Sequence, residues 1–124
     1  MAQGSWTPLP GHIVHAAVQY SDSERTKSRF PLVVSSRGFN DRHPEVIVAF
    51  TTKASNIRHS RDYDVEISDR RSDFKDTGLT ESTTVRSGRL WSIDKRKIMD
   101  VIGVAPSDIF GDVIRLVRAC FAED

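Results

Sequence analysis

The sequence predicts a mostly β chain, bent into a small barrel and capped by one C-terminal helix. Two observations carry this expectation. Short runs rich in Val, Ile and Thr, separated by Gly, Pro, Asn and Asp, recur from Gly11 to Val104, as strands joined by turns do. After Pro106 the period changes, and Ile109, Phe110, Val113, Ile114, Val117, Cys120 and Phe121 fall at the three and four residue spacing of one helix face. A chain of 124 residues has room for a single core. Residues 1–9 are therefore read as an irregular lead-in and 10–124 as one domain.

Taken in order, the prolines at positions 8 and 10 deny the lead-in ladder donors. From Gly11, H-I-V-H-A-A-V-Q-Y predicts a first strand from His12 to Tyr20, whose two histidines face opposite sides and so do not form a metal pair. Ser21 to Ser28 is polar and charged and reads as a loop. Pro31 to Ser35 is the second strand, with Pro31 tolerated at its first position, and Ser36 to Pro44 is a connection. Glu45 to Thr52 is the third strand and the centre of the sheet, because its V-I-V-A-F run is apolar on both faces. Lys53 to Asp62 is a basic loop, Tyr63 to Ile67 alternates like a half-exposed strand, and Asp69 to Thr77 is a polar excursion. Ser82 to Val85 and Arg89 to Ile93 read as two short strands, Asp94 to Met99 as a helical turn and Val101 to Val104 as the last strand. The helix spans Ser107 to Phe121, with Pro106-Ser107 setting its N-cap and Asp108 at the positive end of its dipole.

Composition narrows the function classes. With 38% hydrophobic and 28% charged residues the chain is neither disordered nor a membrane protein, and no apolar run approaches the roughly 18 residues of a bilayer span. Met1 to Pro10 lacks a basic start followed by an apolar stretch, so a cytoplasmic location is expected. Cys120 is the sole cysteine, which excludes an internal disulfide and a cysteine-rich zinc site, and core packing is its expected role. A formal net charge of +1 gives no global pull on nucleic acid, so any such affinity rests on local basic clusters such as Arg25, Lys27 and Arg29.

The stretch from Ser23 to Thr52 organises the chain. A charged segment ending in Arg29 feeds the apolar run Pro31 to Val34, and a second run, Val46 to Phe50, delivers Thr51 and Thr52. If the two runs pair as neighbouring strands, a fixed guanidinium and two hydroxyls are held on one rigid face. Such a face suits a phosphodiester, because a guanidinium forks onto two phosphate oxygens and keeps its charge at any working pH.

In their order, these blocks resemble the MazF/PemK/Kid toxins of bacterial toxin–antitoxin pairs. Pro10-Gly11-His12-Ile13-Val14 stands where that family opens its first strand. Ser23, Glu24 and Arg29 match its G-S-E-Q-x-G-x-R-P loop, and Val46 to Thr52 matches its apolar strand ending in Thr-Thr. Gly78-Leu79, Ser82 to Arg86, Leu90 and Ser92 to Lys95 match later blocks, and V-A-P-S-D with the helix closes the series. The likeness covers about residues 10–121. It departs at Asp22 and Lys27, which replace loop glycines, at Phe30, which replaces the proline after the arginine, at His12 for aspartate and at Arg89 for glutamine.

The resemblance implies the SH3-like barrel of the CcdB/MazF plasmid maintenance toxins. It implies a sequence-specific, metal-independent endoribonuclease acting on single-stranded mRNA, in which the substrate's 2′-hydroxyl attacks and a 2′,3′-cyclic phosphate is left. It further implies no cofactor, a homodimer, and a cognate antitoxin that fills the RNA groove. Arg29, Thr51 and Glu24 are the catalytic residues it points to: Arg29 on the phosphate, Thr51 bonding the phosphate or passing a proton, Glu24 as a loop base. Lys27, Ser28, Thr52, Lys53, Arg58, His59 and Arg86 are expected on the RNA, with His59 or Tyr63 able to stack on a base. The alternatives are a gyrase-poisoning toxin of the same fold and a non-catalytic member that binds RNA or antitoxin.

Overall fold

Gly11 sets the first turn: its N–H donates to the Val33 carbonyl at 2.9 Å, and its own carbonyl accepts from Ala105 at 2.9 Å. The turn before the first strand is thus tied to Val33 on one side and to Ala105, ahead of the C-terminal helix, on the other. The computed structural model describes residues 7–19, 26–59 and 62–122. Its strands are β1 (His12–Gln19), β2 (Thr26–Arg29), β3 (Leu32–Val33), β4 (Glu45–Lys53), β5 (Asp64–Ile67), β6 (Thr83–Asp94) and β7 (Ile98–Val104), all paired antiparallel. Helix α1 (Arg37–Arg42) lies between β3 and β4, and α2 (Ser107–Ala119) follows β7. The sheet order is β2-β1-β3-β4-β6-β5, with β7 on the other side of β1.

The expected barrel is not closed. Among the described residues β5 and β7 do not pair, and the Thr77–Gly78 segment, not β5, lies against Ile102 and Gly103 of β7. The mostly β architecture with its C-terminal helix stands.

Several boundaries differ from the sequence expectations for identifiable reasons. Thr26–Arg29, read as loop and loop end, pairs with Gln19 to Ala16 of β1. An edge strand needs only backbone partners, so T-K-S-R carries no apolar signal. Pro31 splits β2 from β3, since it has no N–H to donate, while its carbonyl accepts from Val14 at 3.1 Å. The two short strands expected at 82–85 and 89–93 are one strand, β6. Ala49 of β4 faces Leu90 and Phe50 faces Arg86, so Ser87, Gly88 and Arg89 bulge out where the sequence suggested a break.

Helix α1 falls where the sequence predicts only a connection. Gly38, Asn40 and Asp41 are poor helix formers, and the turn is held from outside. Ser36 caps it by accepting from the Phe39 N–H at 3.2 Å. Asn40 is fully buried; its amide donates to the carbonyls of Pro8 (2.8 Å) and Ser35 (3.1 Å), and its oxygen accepts from the Ser35 hydroxyl. Ser35 in turn accepts from the Ile47 N–H at 2.9 Å. Asn40→Ala is expected to cost about 2–3 kcal/mol, because it removes the partners of the Pro8 carbonyl and of the Ser35 carbonyl and hydroxyl at once. Urea unfolding checks this, and a loss below about 0.5 kcal/mol would remove the pinning role.

The pleat divides the core. Val14, Val33, Val48 and Phe50 face one side of the sheet with Ile93 and Ile98. Ile13, Leu32, Ala49 and Val85 face the other, where Ile109 and Val113 of α2 cover them. Each fully buried aliphatic side chain contributes about 1.5–3 kcal/mol. Helix α2 ends before Cys120 and Phe121, which are exposed, so Cys120 is not a core residue as expected. Pro106 rather than Ser107 is its N-cap, with no side-chain cap.

In place of a cap, Arg71 holds the first turn. Its guanidinium reaches Asp108 at 2.8 and 3.1 Å and Asp73 at 2.9 and 3.2 Å. These hydrogen bonds hold both carboxyls below the usual carboxylate range and raise Arg71 above its own. The contribution is therefore present above the unfolded carboxylate pKa of about 4 and is lost as pH falls below it. Arg71→Ala should lower the melting temperature at pH 7, and its gap from the parent should shrink on going to pH 3. A gap independent of pH would exclude the linkage.

Candidate active site

Strand pairing builds a cleft from segments far apart in sequence. Leu32 faces Ala49 and Val33 faces Val48, so the β2/β3 strand and β4 run side by side as the two apolar runs suggested. At the next step along, Pro31 ends the ladder and the Thr51 hydroxyl takes over, donating to the Phe30 carbonyl at 2.9 Å. A cleft of about 430 Å³ opens beside this junction. Arg29 and Phe30 form one wall, Thr51, Thr52 and Lys53 with Asn56 another, and Gly78, Leu79, Thr80 and Glu81 the third, with Thr83 and Ile102 also lining it.

The third wall depends on two glycines. Gly78 ends the short 3-10 turn Phe74–Thr77 at φ 73°, a left-handed conformation that favours glycine. A Cβ there would lie 2.1 Å from the Ile102 carbonyl oxygen, and one on Gly103 would lie 2.2 Å from the Thr77 carbonyl carbon. Backbone is thus packed on backbone, which holds Leu79 to Glu81 over Ile102.

Of the residues expected to act, the structure brings Arg29, Thr51, Thr52 and Lys53 to this one cleft. Arg29 is half-buried at the end of β2, opposite Ala16. Thr51 is only 8% exposed, and its proton is committed to the Phe30 carbonyl, so its oxygen offers lone pairs rather than a donor to the cleft. In this state it fixes the backbone next to Arg29. Lys53 pairs with Glu81 at 3.5 Å, both groups being well exposed. Such a pair contributes about 0–1 kcal/mol, so an incoming phosphate can displace the carboxylate. Thr52 faces Asn56, whose amide lies 3.5 Å from its hydroxyl, at the limit of a hydrogen bond.

Other expected residues are elsewhere. Arg58 and His59 are exposed on the loop beyond the 3-10 turn Ala54–Asn56 and do not line the cleft. Arg86 is 18% exposed and reaches the buried carboxylate of Asp64 at 3.4 Å, which ties β6 to β5. Glu24 lies outside the described residues, and so do the side chains of Lys27 and Ser28, although both positions fall on β2. Sequence reading missed Phe30, Asn56, Thr80 and Glu81 as cleft residues. The Gly78-Leu79 block was the available signal for the last two. Among the described residues, no group of three or more His, Cys, Asp or Glu is placed to hold a metal ion, and no helix is long and apolar enough to cross a membrane.

The family model of PemK-like, MazF-like toxins of type II toxin–antitoxin systems matches residues 9–121. An endoribonuclease from a mycobacterial species, solved in complex with its cognate antitoxin, has a TM-score of 0.72 at 17% identity, covering 94% of this chain and 99% of its own. MazF in a MazE–MazF complex from Deinococcus radiodurans has a TM-score of 0.70 at 17% identity, with 96% and 99% covered. The Mycobacterium tuberculosis toxin MazF-mt6 has a TM-score of 0.66 at 18% identity, with 90% and 98% covered. No curated protein matches the chain in sequence. At these identities the solved structures establish the shared fold, while the family match runs from the turn before β1 through every wall of the cleft to the end of α2. On that match, the chain belongs to the PemK-like, MazF-like toxins of type II toxin–antitoxin systems.

Proposed function

We propose that the chain is an endoribonuclease toxin that cuts single-stranded RNA, mRNA above all, at short sequences and without a metal, and that a cognate antitoxin silences it. The observation that carries this reading is the meeting of Arg29, Thr51 and Lys53 on one cleft. The substrate's 2′-oxygen attacks the adjacent phosphorus, the bond to the 5′-oxygen breaks, and the products are a 2′,3′-cyclic phosphate and a 5′-hydroxyl. Atoms balance without water: one proton leaves the 2′-hydroxyl and one is delivered to the departing 5′-oxygen.

Charge gathers on the phosphoryl oxygens in the transition state, and a guanidinium held beside them lowers its energy more than that of the ground state. Arg29 supplies that group. Thr51 holds the Phe30 carbonyl and so the direction of the chain at Arg29, and rotation of its hydroxyl would present its proton to a phosphate oxygen. Lys53 and Thr52 grip the neighbouring phosphates or sugars. Glu24 is the carboxylate proposed to take the 2′-hydroxyl proton, while Glu81 serves as the resting partner of Lys53. Lys27, Ser28, Arg58 and His59 are proposed to reach splayed bases and flanking phosphates from the surrounding segments. The endoribonuclease solved in complex with its cognate antitoxin and the MazE–MazF complex support an antitoxin partner here. A homodimer acting in the cytoplasm completes the reading.

The test is incubation of purified protein with a long RNA in excess chelator, followed by mapping of the new ends. Cuts at a recurring short sequence, bearing cyclic phosphate, are expected. Intact RNA would reject the nuclease reading, and RNA binding without cuts would identify a non-catalytic member.

A further inference from the structure

The cleft presents an aromatic surface that no part of the phosphate chemistry uses. Phe30 lines the cleft and is 40% exposed, although it follows Arg29 directly and sits among packed strands. Its ring stacks on His15 of β1, with centroids 5.1 Å apart and planes 27° from parallel. The backbone beneath it is fixed twice over: the Phe30 carbonyl accepts from Thr51 at 2.9 Å, and the next carbonyl, that of Pro31, accepts from Val14 at 3.1 Å. A large apolar ring with one face backed and its main chain clamped is preorganised, so little freedom is lost when a second flat group lies against it.

From this we infer that Phe30, backed by His15, is a stacking platform for one nucleobase of the RNA strand whose phosphate Arg29 holds. The inference rests on the proposed ribonuclease function and assigns that cleft a base subsite. The occupant follows from position. Phe30 is joined to Arg29 and shares its cleft, so a strand gripped at the phosphate by Arg29 carries its next base past the ring. Every base has a π face, so stacking of this kind holds the strand in register without choosing a sequence. The platform positions the nucleotide; it takes no part in proton transfer.

The test uses two probes that bind without being cut. One is a short single-stranded oligoadenylate with 2′-O-methyl groups, and the other an abasic strand of the same length and backbone. The parent protein is expected to bind the base-bearing strand more tightly, by roughly 5- to 150-fold for one stacked base. Phe30→Ala should remove most of that preference while leaving affinity for the abasic strand unchanged, and Phe30→Trp should retain it. His15→Ala should reduce the preference in part, since the ring loses its backing. Melting temperatures establish that the variants fold, and the exposure of Phe30, whose carbonyl hydrogen bond survives the substitution, favours that. A preference that survives Phe30→Ala, an equal loss on both strands, or no preference in the parent protein would each overturn the platform. Failure of the ribonuclease reading shows separately, as intact RNA in the chelator experiment, and leaves the outcome of this binding comparison readable by itself.

Discussion

Arg29→Ala is expected to slow RNA cleavage by roughly 10²–10³-fold with little change in the affinity for RNA. The rate rather than the binding bears the loss because neighbouring groups, Lys53 foremost, still attract the strand, whereas the charge developing at the reacting phosphorus loses its fixed donor. Arg29→Lys separates charge from geometry. A lysine keeps the positive charge but presents it as a point, without the planar fork that meets two phosphoryl oxygens, so it should recover only part of the rate. Single-turnover cleavage of a labelled oligonucleotide gives the rate, and its saturation with protein gives the affinity. A variant within twofold of the parent in rate would remove Arg29 from the reaction, and with it the reading built on this cleft. The size of the effect depends on the pairing of β3 with β4, because that register is what sets the Arg29 end of β2 beside Thr51.

That pairing was legible in the sequence because the apolar runs Pro31 to Val34 and Val46 to Phe50 are each followed by polar residues. The V-I-V-A-F run fixed β4 within one residue of its observed end, and Pro31 marked where its neighbour starts. What the sequence concealed was structure held by distant partners. Helix α1 exists because Asn40 binds the carbonyls of Pro8 and Ser35, and no periodicity records a hydrogen bond across thirty-odd positions. The bulge at Ser87 to Arg89 resembles a turn in sequence, since glycine flanked by polar residues marks either one. The site divides in the same way. Arg29 and Thr51 were visible as the residues flanking two apolar runs, but basic density pointed equally to Arg58, His59 and Arg86, and charge alone cannot reveal that Arg86 is committed to Asp64. Phe30 stood out only as a replacement for the proline after the arginine, and an aromatic residue beside a strand carries no signal of which way its ring faces. The structure leaves it 40% exposed on the cleft wall.

Gly103→Ala is expected to be severely destabilising, with a stability loss of about 3 kcal/mol or more. Overpacking is usually relieved by a side chain that turns aside, but here the added carbon would meet main chain: the Thr77 carbonyl carbon at 2.2 Å, its oxygen at 2.3 Å and the Asp76 oxygen at 2.5 Å. Relief requires the Phe74–Thr77 turn to lift off β7. That turn cannot move far, because Gly78 crosses Ile102 equally closely, Thr77 is fully buried, and its hydroxyl donates to the Phe74 carbonyl at 2.7 Å while accepting from the Leu79 N–H at 3.1 Å. For a domain whose whole stability is about 5–15 kcal/mol, the loss is a large share, and it should lower the melting temperature by about 10 °C. Gly111→Ala supplies the control, since its added carbon meets nothing within 4 Å on the exposed side of α2 and should stabilise by about 0.5–1 kcal/mol through helix propensity. Urea unfolding of the pair measures both signs. The wall formed by Leu79 to Glu81 rides on the same crossing, so the Gly103 variant should lose RNA cleavage at temperatures where it is still folded. A Gly103→Ala protein within about 1 kcal/mol of the parent would mean that the backbone contact is not tight, and that the third wall of the cleft is held by something other than β7.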